Sequence, residues 1–211
     1  MEKTLFIVGP HASGKTYSTS MYLNKNNIND VTMIDTGPIM RQLHEKSGHI
    51  GNIGEWVSAL EREKGDTITS VMITDEIRKR LNSSGNQKAI LIGFRTLETI
   101  RFVIQELELK DFSVLYVDGS FDLLYRNYIS REHNYITKNE YLSYLAEERE
   151  AGLKVLKPYA ISKEKGFSYF FKKSNDDSFE GFLLKYLGYE SKIKDDKSKT
   201  KVLTMNEDGK V

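Results

Sequence analysis

The stretch Thr4-Leu5-Phe6-Ile7-Val8-Gly9-Pro10-His11-Ala12-Ser13-Gly14-Lys15-Thr16 decides the reading of this chain. A short strand pattern over 4–8 runs directly into G-x-x-x-x-G-K-T, and a helical pattern follows. Strand, loop and helix in that order form a phosphate-binding loop, the P-loop. Gly9 and Gly14 let backbone N–H groups turn inward with no side chain in the way. Lys15 brings a positive charge to the terminal phosphates, and Thr16 offers a hydroxyl to Mg²⁺. The following helix adds the positive end of its dipole. Pro10 and His11 fill free positions of the pattern. His11 is either an extra phosphate donor or a solvent-facing loop residue.

Outward from this loop, apolar runs alternate with helical patterns, which implies a parallel sheet wrapped by helices. The expected strands are 4–8, 31–34, 88–92, 113–117 and 167–172. Leu97, Ile100, Ile104 and Leu107 share one helical face. Phe121, Leu124, Tyr125, Tyr128 and Ile129 share another, and Phe179, Phe182, Leu183, Tyr186 and Leu187 a third. Thr137 and Glu140 read as a capping box opening a helix that runs through Leu156. Residues 36–87 hold helical patterns around Trp56–Glu63 and Asp66–Leu81, an insertion able to move as a unit. Residues 126–137 leave room only for a short lid. A domain over 1–188 and a polar tail over 189–211 complete the expected layout.

Composition narrows the partners. The 211 residues suffice for one α/β domain with a good core. Net charge is +1, from 31 basic and 30 acidic residues, so nothing points to a nucleic-acid partner. There is no cysteine, which removes disulfides, thiolate metal sites and thiol chemistry. No apolar run reaches membrane-spanning length and no signal peptide is visible, so a cytoplasmic protein without a membrane partner is expected.

In an open parallel sheet, ligands sit at the carboxyl ends of the strands. After the second strand comes Asp35-Thr36-Gly37-Pro38-Ile39-Met40-Arg41. After the third comes Gly93-Phe94-Arg95-Thr96, after the fourth Asp118-Gly119-Ser120, and after the fifth Lys173 to Ser178. Arg149 falls on the stripe of Leu142, Leu145, Leu153 and Leu156. An arginine on an inward face needs an anionic partner. That partner is a bound phosphate or a core carboxylate, unless the side chain snorkels at the stripe edge.

These loops resemble, in series, those of the nucleoside monophosphate kinase superfamily. Asp35, Thr36, Gly37 and Arg41 match the cytidylate kinase form D-[ST]-G-x-x-x-R of the acceptor loop. Ile92-Gly93-Phe94-Arg95-Thr96 is similar to the adenylate kinase G-F-P-R-T loop without its proline. It also resembles the G-I-R-[ST] loop of kinases like dephospho-coenzyme A kinase. Arg126 and Arg131 resemble the lid arginines, and their i, i+5 spacing does not put both on one helical face. Asn175 to Ser178 resemble the loop whose backbone lies against adenine.

The resemblance implies a three-layer α/β/α P-loop NTPase fold with a five-stranded parallel sheet, a helical acceptor-binding insertion and a short lid. It implies an ATP- and Mg²⁺-dependent kinase acting on a small-molecule nucleotide, a nucleoside or deoxynucleoside monophosphate. ATP would be held by Gly9, His11, Ala12, Ser13, Gly14, Lys15, Thr16, Tyr17 and Asn175, with Thr16 on the metal. Asp35, Thr36, Gly37, Arg41, Arg95 and Arg149 would hold the acceptor. Lys15, Asp35, Arg95, Arg126 and Arg131 would serve catalysis, because phosphoryl transfer is mostly positioning and charge neutralisation. Ile92 departs from the family, in which many members carry a metal-supporting aspartate at the end of the third strand. Asp35, or in second place Asp118, is expected to replace it. Asp35 alternatively reads the acceptor or acts as a general base toward a hydroxyl. Two other readings are a hydroxyl kinase similar to dephospho-coenzyme A kinase and an ATP-binding regulator with weak catalysis.

Overall fold

A computed structural model describes residues 1–132, 135–172 and 178–189, with Glu132 described by its backbone alone. Five strands form one parallel sheet in the order β2-β3-β1-β4-β5. They are β1 (Lys3–Val8), β2 (Val31–Asp35), β3 (Lys88–Ile92), β4 (Phe112–Gly119) and β5 (Phe167–Lys172). All five expected strands are present; β4 runs on to Gly119, so Asp118 lies within it rather than in the following loop.

Alternation along β1 feeds two cores. Phe6 and Val8 join Ile39, Ile77, Leu97, Leu153 and Leu156 on one face. Leu5 and Ile7 join Tyr22, Leu23, Phe179 and Leu183 on the other. Both faces of the central strands are therefore covered, which is why they read as unbroken apolar runs. Helices α1 (Lys15–Lys25) and α9 (Ser178–Leu187) cover the second face. Helices α4 (Ile68–Ser84), α5 (Leu97–Glu106) and α8 (Lys154–Ile161) cover the first. The result is the three-layer α/β/α architecture.

Between β2 and β3 stand α2 (Thr36–Ser47), α3 (Ile53–Lys64) and α4. Asn52 and Glu55 close a capping box on α3, whose single buried residue is Trp56. The Trp56 ring packs 5.4 Å from that of His44 on α2. The insertion is not one independent unit. Ile77 and Leu81 of α4 and Ile39 of α2 belong to the main core, whereas α3 stands outside it.

Helices α6 (Phe121–Glu132) and α7 (Lys138–Glu148) follow β4. The capping box of Thr137 and Glu140 starts α7 as expected. The helix expected to run through Leu156 is broken by a π-turn over Arg149–Leu153, where Gly152 has φ 131°. That turn changes which side chains face inward. Leu142 is 51% exposed and Arg149 is exposed, while Tyr141, Leu145 and Glu148 form the buried stripe at i, i+4, i+7. The inward face of α7 thus lies one residue before the expected one. Gly152 is not helical, so the chain kinks there and α8 sets its own phase, with Leu153 and Leu156 in the core.

Candidate active site

The P-loop joins β1 to α1 at the middle of the sheet. Gly9 (φ 134°) presses so closely on the Val117 carbonyl of β4 that no Cβ fits there. Ala12 and Gly14 also take positive φ, 63° and 75°, and curl the loop over the N-terminus of α1. The side chain of Lys15 folds back into this curl. Its Nζ donates to Gly9 O at 2.8 Å, Pro10 O at 2.7 Å and Ser13 Oγ at 3.1 Å. Burial lowers its pKa to about 8, against the opposing pull of Glu148 first and Asp35 second.

Asp35 ends β2 and joins two parts of the site. Its Oδ1 accepts from Gly37 N at 2.9 Å and so caps α2. Its Oδ2 accepts from Thr16 Oγ1 at 2.7 Å. In the sheet register Asp35 stands beside Ile92, one strand farther from β1. Gly93 makes room for it: a Cβ there would lie 2.6 Å from Thr36 Oγ1 and 3.2 Å from Asp35 Oδ1. A carboxylate thus reaches the P-loop threonine from the neighbouring strand although Ile92 itself is apolar and buried.

The remaining expected residues divide. Arg41 is exposed on α2, and its Nη1 would lie 3.6 Å from a Cβ on Gly37, so its guanidinium lies at the capped end of that helix. Arg95 follows β3 and is half exposed, with Nη2 3.2 Å from Glu148 Oε1. Arg131 lies near enough to Lys15 to lower its pKa. On α6, Asn127 and Tyr128 face the P-loop, and Arg131 is one turn beyond Asn127 on that face. Arg126 is exposed and lies about 140° around α6 from Arg131, so one face of the helix does not carry both. Tyr17 is 73% exposed at the start of α1. Asn175 lies outside the described residues.

Asp118 faces a different space. Its Oδ2 takes Lys157 Nζ at 2.7 Å and the Tyr169 hydroxyl at 3.0 Å, and its Oδ1 takes Gly119 N at 2.9 Å. Arg149 lines a cavity of about 240 Å³ together with Asp118 and Lys157, behind Pro10. Among the described contacts, the carboxylate that meets Thr16 is that of Asp35 and not that of Asp118.

Several site residues escaped the sequence reading. Glu148 is only 4% exposed; its Oε2 accepts from His11 N at 2.8 Å while Oε1 meets Arg95. Asn127 Nδ2 donates to Ala12 O at 3.0 Å. The His11 ring stands edge-on to Tyr128 and Tyr144 at 5.7 and 5.8 Å. Tyr141 OH reaches His11 O at 3.4 Å. Burial and the Glu148 charge raise both tyrosines, Tyr144 up to about 12 and Tyr141 above its ordinary range, so both phenols stay neutral. From the fifth strand, Lys172 donates to Ser18 Oγ, and its Nζ would lie 2.7 Å from a Cβ on Gly14. The capping box at Thr137 was the signal that could have placed Glu148, because it fixes the phase of α7.

No group of three or more histidines, aspartates or glutamates among the described residues is placed to hold a metal by itself. Mg²⁺ carried in on a nucleotide needs fewer protein ligands, since phosphate and water supply most of its shell. The adjoining Thr16 hydroxyl and Asp35 carboxylate fit that role. No described helix is long and apolar enough to cross a membrane.

No family model and no curated protein sequence matches the chain. Solved structures do. A gluconokinase from Sinorhizobium meliloti 1021 matches with a TM-score of 0.54 at 11% identity, over 94% of this chain and 98% of that one. The tunicamycin resistance protein of Deinococcus radiodurans matches at 0.53 and 11%, over 89% and 96%. An uncharacterized protein from Eubacterium ventriosum ATCC 27560 matches at 0.52 and 11%, over 90% and 99%. Such identities speak for the fold, and the agreement covers nearly the whole of each chain. The chain is built on the parallel-sheet P-loop fold that its first sixteen residues imply, the fold it shares with that gluconokinase.

Proposed function

We propose that this protein is an ATP-dependent kinase that transfers the γ-phosphoryl group to a small-molecule acceptor. The observation that carries the reading is the joining of Thr16 and Asp35 at 2.7 Å directly below the P-loop. A phosphate loop needs a hydroxyl and a carboxylate at that point to support Mg²⁺, which neutralises phosphate charge as it develops. The P-loop N–H groups and Lys15 would hold the nucleotide phosphates. Arg95 and Arg131 would face the transferring group from two sides, on the loop after β3 and on α6. The acceptor would enter between α2 and the loop after β3, where Asp35, Thr36, Gly37, Arg41 and Arg95 gather.

The acceptor we propose first is a nucleoside or deoxynucleoside monophosphate. Two guanidinium groups border the acceptor side, and such forks bind phosphate in bidentate fashion. One observation favours a second reading, a hydroxyl acceptor. Arg95 is already engaged by the buried carboxylate of Glu148, and Asp35 at the end of β2 would then take the hydroxyl proton. The fold-related gluconokinase is in keeping with this second reading.

A coupled assay of ADP formation tests both, across nucleoside monophosphates, nucleosides, sugars, sugar acids and dephospho-coenzyme A. Transfer to a monophosphate, with Arg41→Ala raising its KM and leaving ATP affinity unchanged, supports the first reading. Transfer only to an uncharged hydroxyl supports the second. ATP binding without transfer to any of them replaces the kinase with a nucleotide-binding regulator.

A further inference from the structure

The P-loop of this protein already holds an anion, and that anion is its own. Glu148 is buried, yet no lysine or arginine on its own helix neutralises it. Its two oxygens go to the two kinds of donor a terminal phosphate requires: a P-loop backbone N–H, His11 N at 2.8 Å, and a guanidinium, Arg95 Nη2 at 3.2 Å. Among the charges acting on Lys15, Glu148 exerts the largest pull. The carboxylate therefore stands on the side of the loop where Lys15 meets the outer phosphates.

A permanent carboxylate there would repel the γ-phosphate and occupy two of its donors. The helix supplies a means of moving it. Glu148 is the last residue of α7, and the next residue begins the π-turn. Gly152 in that turn abuts Arg95, so closely that a Cβ would lie 2.5 Å from Arg95 O and 2.9 Å from Thr96 Cγ2. Single π-turns in helices mark places where the backbone shifts register, often at functional sites. Carboxylate, guanidinium and turn thus form one mechanical unit, in which a movement of Arg95 toward a ligand is felt at Glu148.

We propose that Glu148 is a resident stand-in for the γ-phosphate, holding the His11 N–H and Arg95 before nucleotide binds and giving both up to a nucleoside triphosphate. The proposal rests on the ATP reading above. It predicts a discrimination that a merely structural glutamate would not produce. A nucleoside diphosphate has no γ-phosphate and leaves Glu148 in place. A triphosphate must displace it.

The test is calorimetric titration of wild type and Glu148→Gln with ADP and with the non-hydrolysable β,γ-imido analogue of ATP, both with Mg²⁺. The glutamine keeps the size and an acceptor oxygen but no charge. The expected result is about tenfold tighter binding of the triphosphate analogue, about 1.4 kcal/mol, with the ADP affinity unchanged. Equal shifts for both ligands, or no shift for either, overturn the proposal. If the variant does not fold, the wild-type His11 amide resonance provides the measurement. It should move with the triphosphate analogue and stay near its apo position with ADP; the same displacement with both refutes the exchange. A wild-type chain that binds neither nucleotide refutes the ATP reading and this proposal together.

Discussion

Replacing Asp35 by Asn separates its two jobs. One oxygen caps α2 through Gly37 N at 2.9 Å, and the other accepts from Thr16 at 2.7 Å. Asparagine caps a helix about as well as aspartate, so the fold should hold to within about 0.5 kcal/mol. Only the charge beside Thr16 is lost. Loss of one group that stabilises developing charge costs roughly 10²–10³-fold in kcat. Loss of an outer-shell metal partner weakens metal affinity roughly 10–100-fold. We therefore expect kcat to fall by about two orders of magnitude and half-saturating Mg²⁺ to rise at least about tenfold. ATP affinity at saturating Mg²⁺ should change little, because Lys15 and the loop N–H groups are untouched. Asp35→Ala removes the cap as well, about 1 kcal/mol, and should lower Tm by roughly 2–4 °C for a chain of this size. The assay is initial-rate ADP formation against Mg²⁺ concentration, with a thermal melt on each variant. An Asp35→Asn variant with a wild-type Mg²⁺ curve and an altered acceptor preference would refute the metal-side assignment.

Four further outcomes follow from the geometry. Lys15→Ala should abolish transfer and most ATP affinity while circular dichroism stays native, since the hydrogen bonds of Lys15 among the described residues stay within its own loop. Because burial holds the Lys15 pKa near 8, below its ordinary value of 10.5, the folded protein loses this proton before the unfolded chain does. Its contribution to stability should therefore rise with pH between about 8 and 10.5, while ATP affinity declines above about 8; Lys15→Ala should flatten both profiles in denaturant titrations and calorimetry. Gly93→Ala places a methyl 2.6 Å from Thr36 Oγ1 at φ 99° and should cost about 1–3 kcal/mol by urea unfolding, with a raised Mg²⁺ requirement as Asp35 is pushed aside. Arg131→Ala should depress kcat strongly and Arg126→Ala little, and a larger loss from Arg126 would mean that α6 turns about its axis when the site closes.

The fold was legible because its signals are local and repeated. The central strands are runs of apolar residues covered on both faces, and β3 and β5 have the expected boundaries. The P-loop, Asp35 and Arg95 were legible because strand ends in a parallel sheet converge, whatever lies between them in sequence. Glu148 was not, because the leucines at 142, 145, 153 and 156 appear to share one face of an unbroken helix. The chain kinks at the non-helical Gly152, so Leu153 and Leu156 do not share the phase of α7, whose buried stripe passes through Tyr141 and Glu148 and leaves Arg149 outside. A break of one residue inside a long amphipathic pattern leaves almost no mark in composition. Arg126 illustrates the converse: the family resemblance suggested two lid arginines, while their i, i+5 spacing keeps them off one face of α6.

The packing of Trp56 against His44 has a practical consequence. The chain has a single tryptophan, and it is the one buried residue of α3, at the contact of α3 with α2. Its emission is therefore an intrinsic optical signal of that contact, free of any second indole and requiring no label. Nucleotide arriving at the P-loop alone should leave the spectrum unchanged. An acceptor that engages the capped end of α2 should shift His44 against the indole and alter both intensity and lifetime. Stopped-flow fluorescence on the unmodified protein can thus time acceptor capture separately from phosphoryl transfer, and the same signal can screen acceptors before any product is detected.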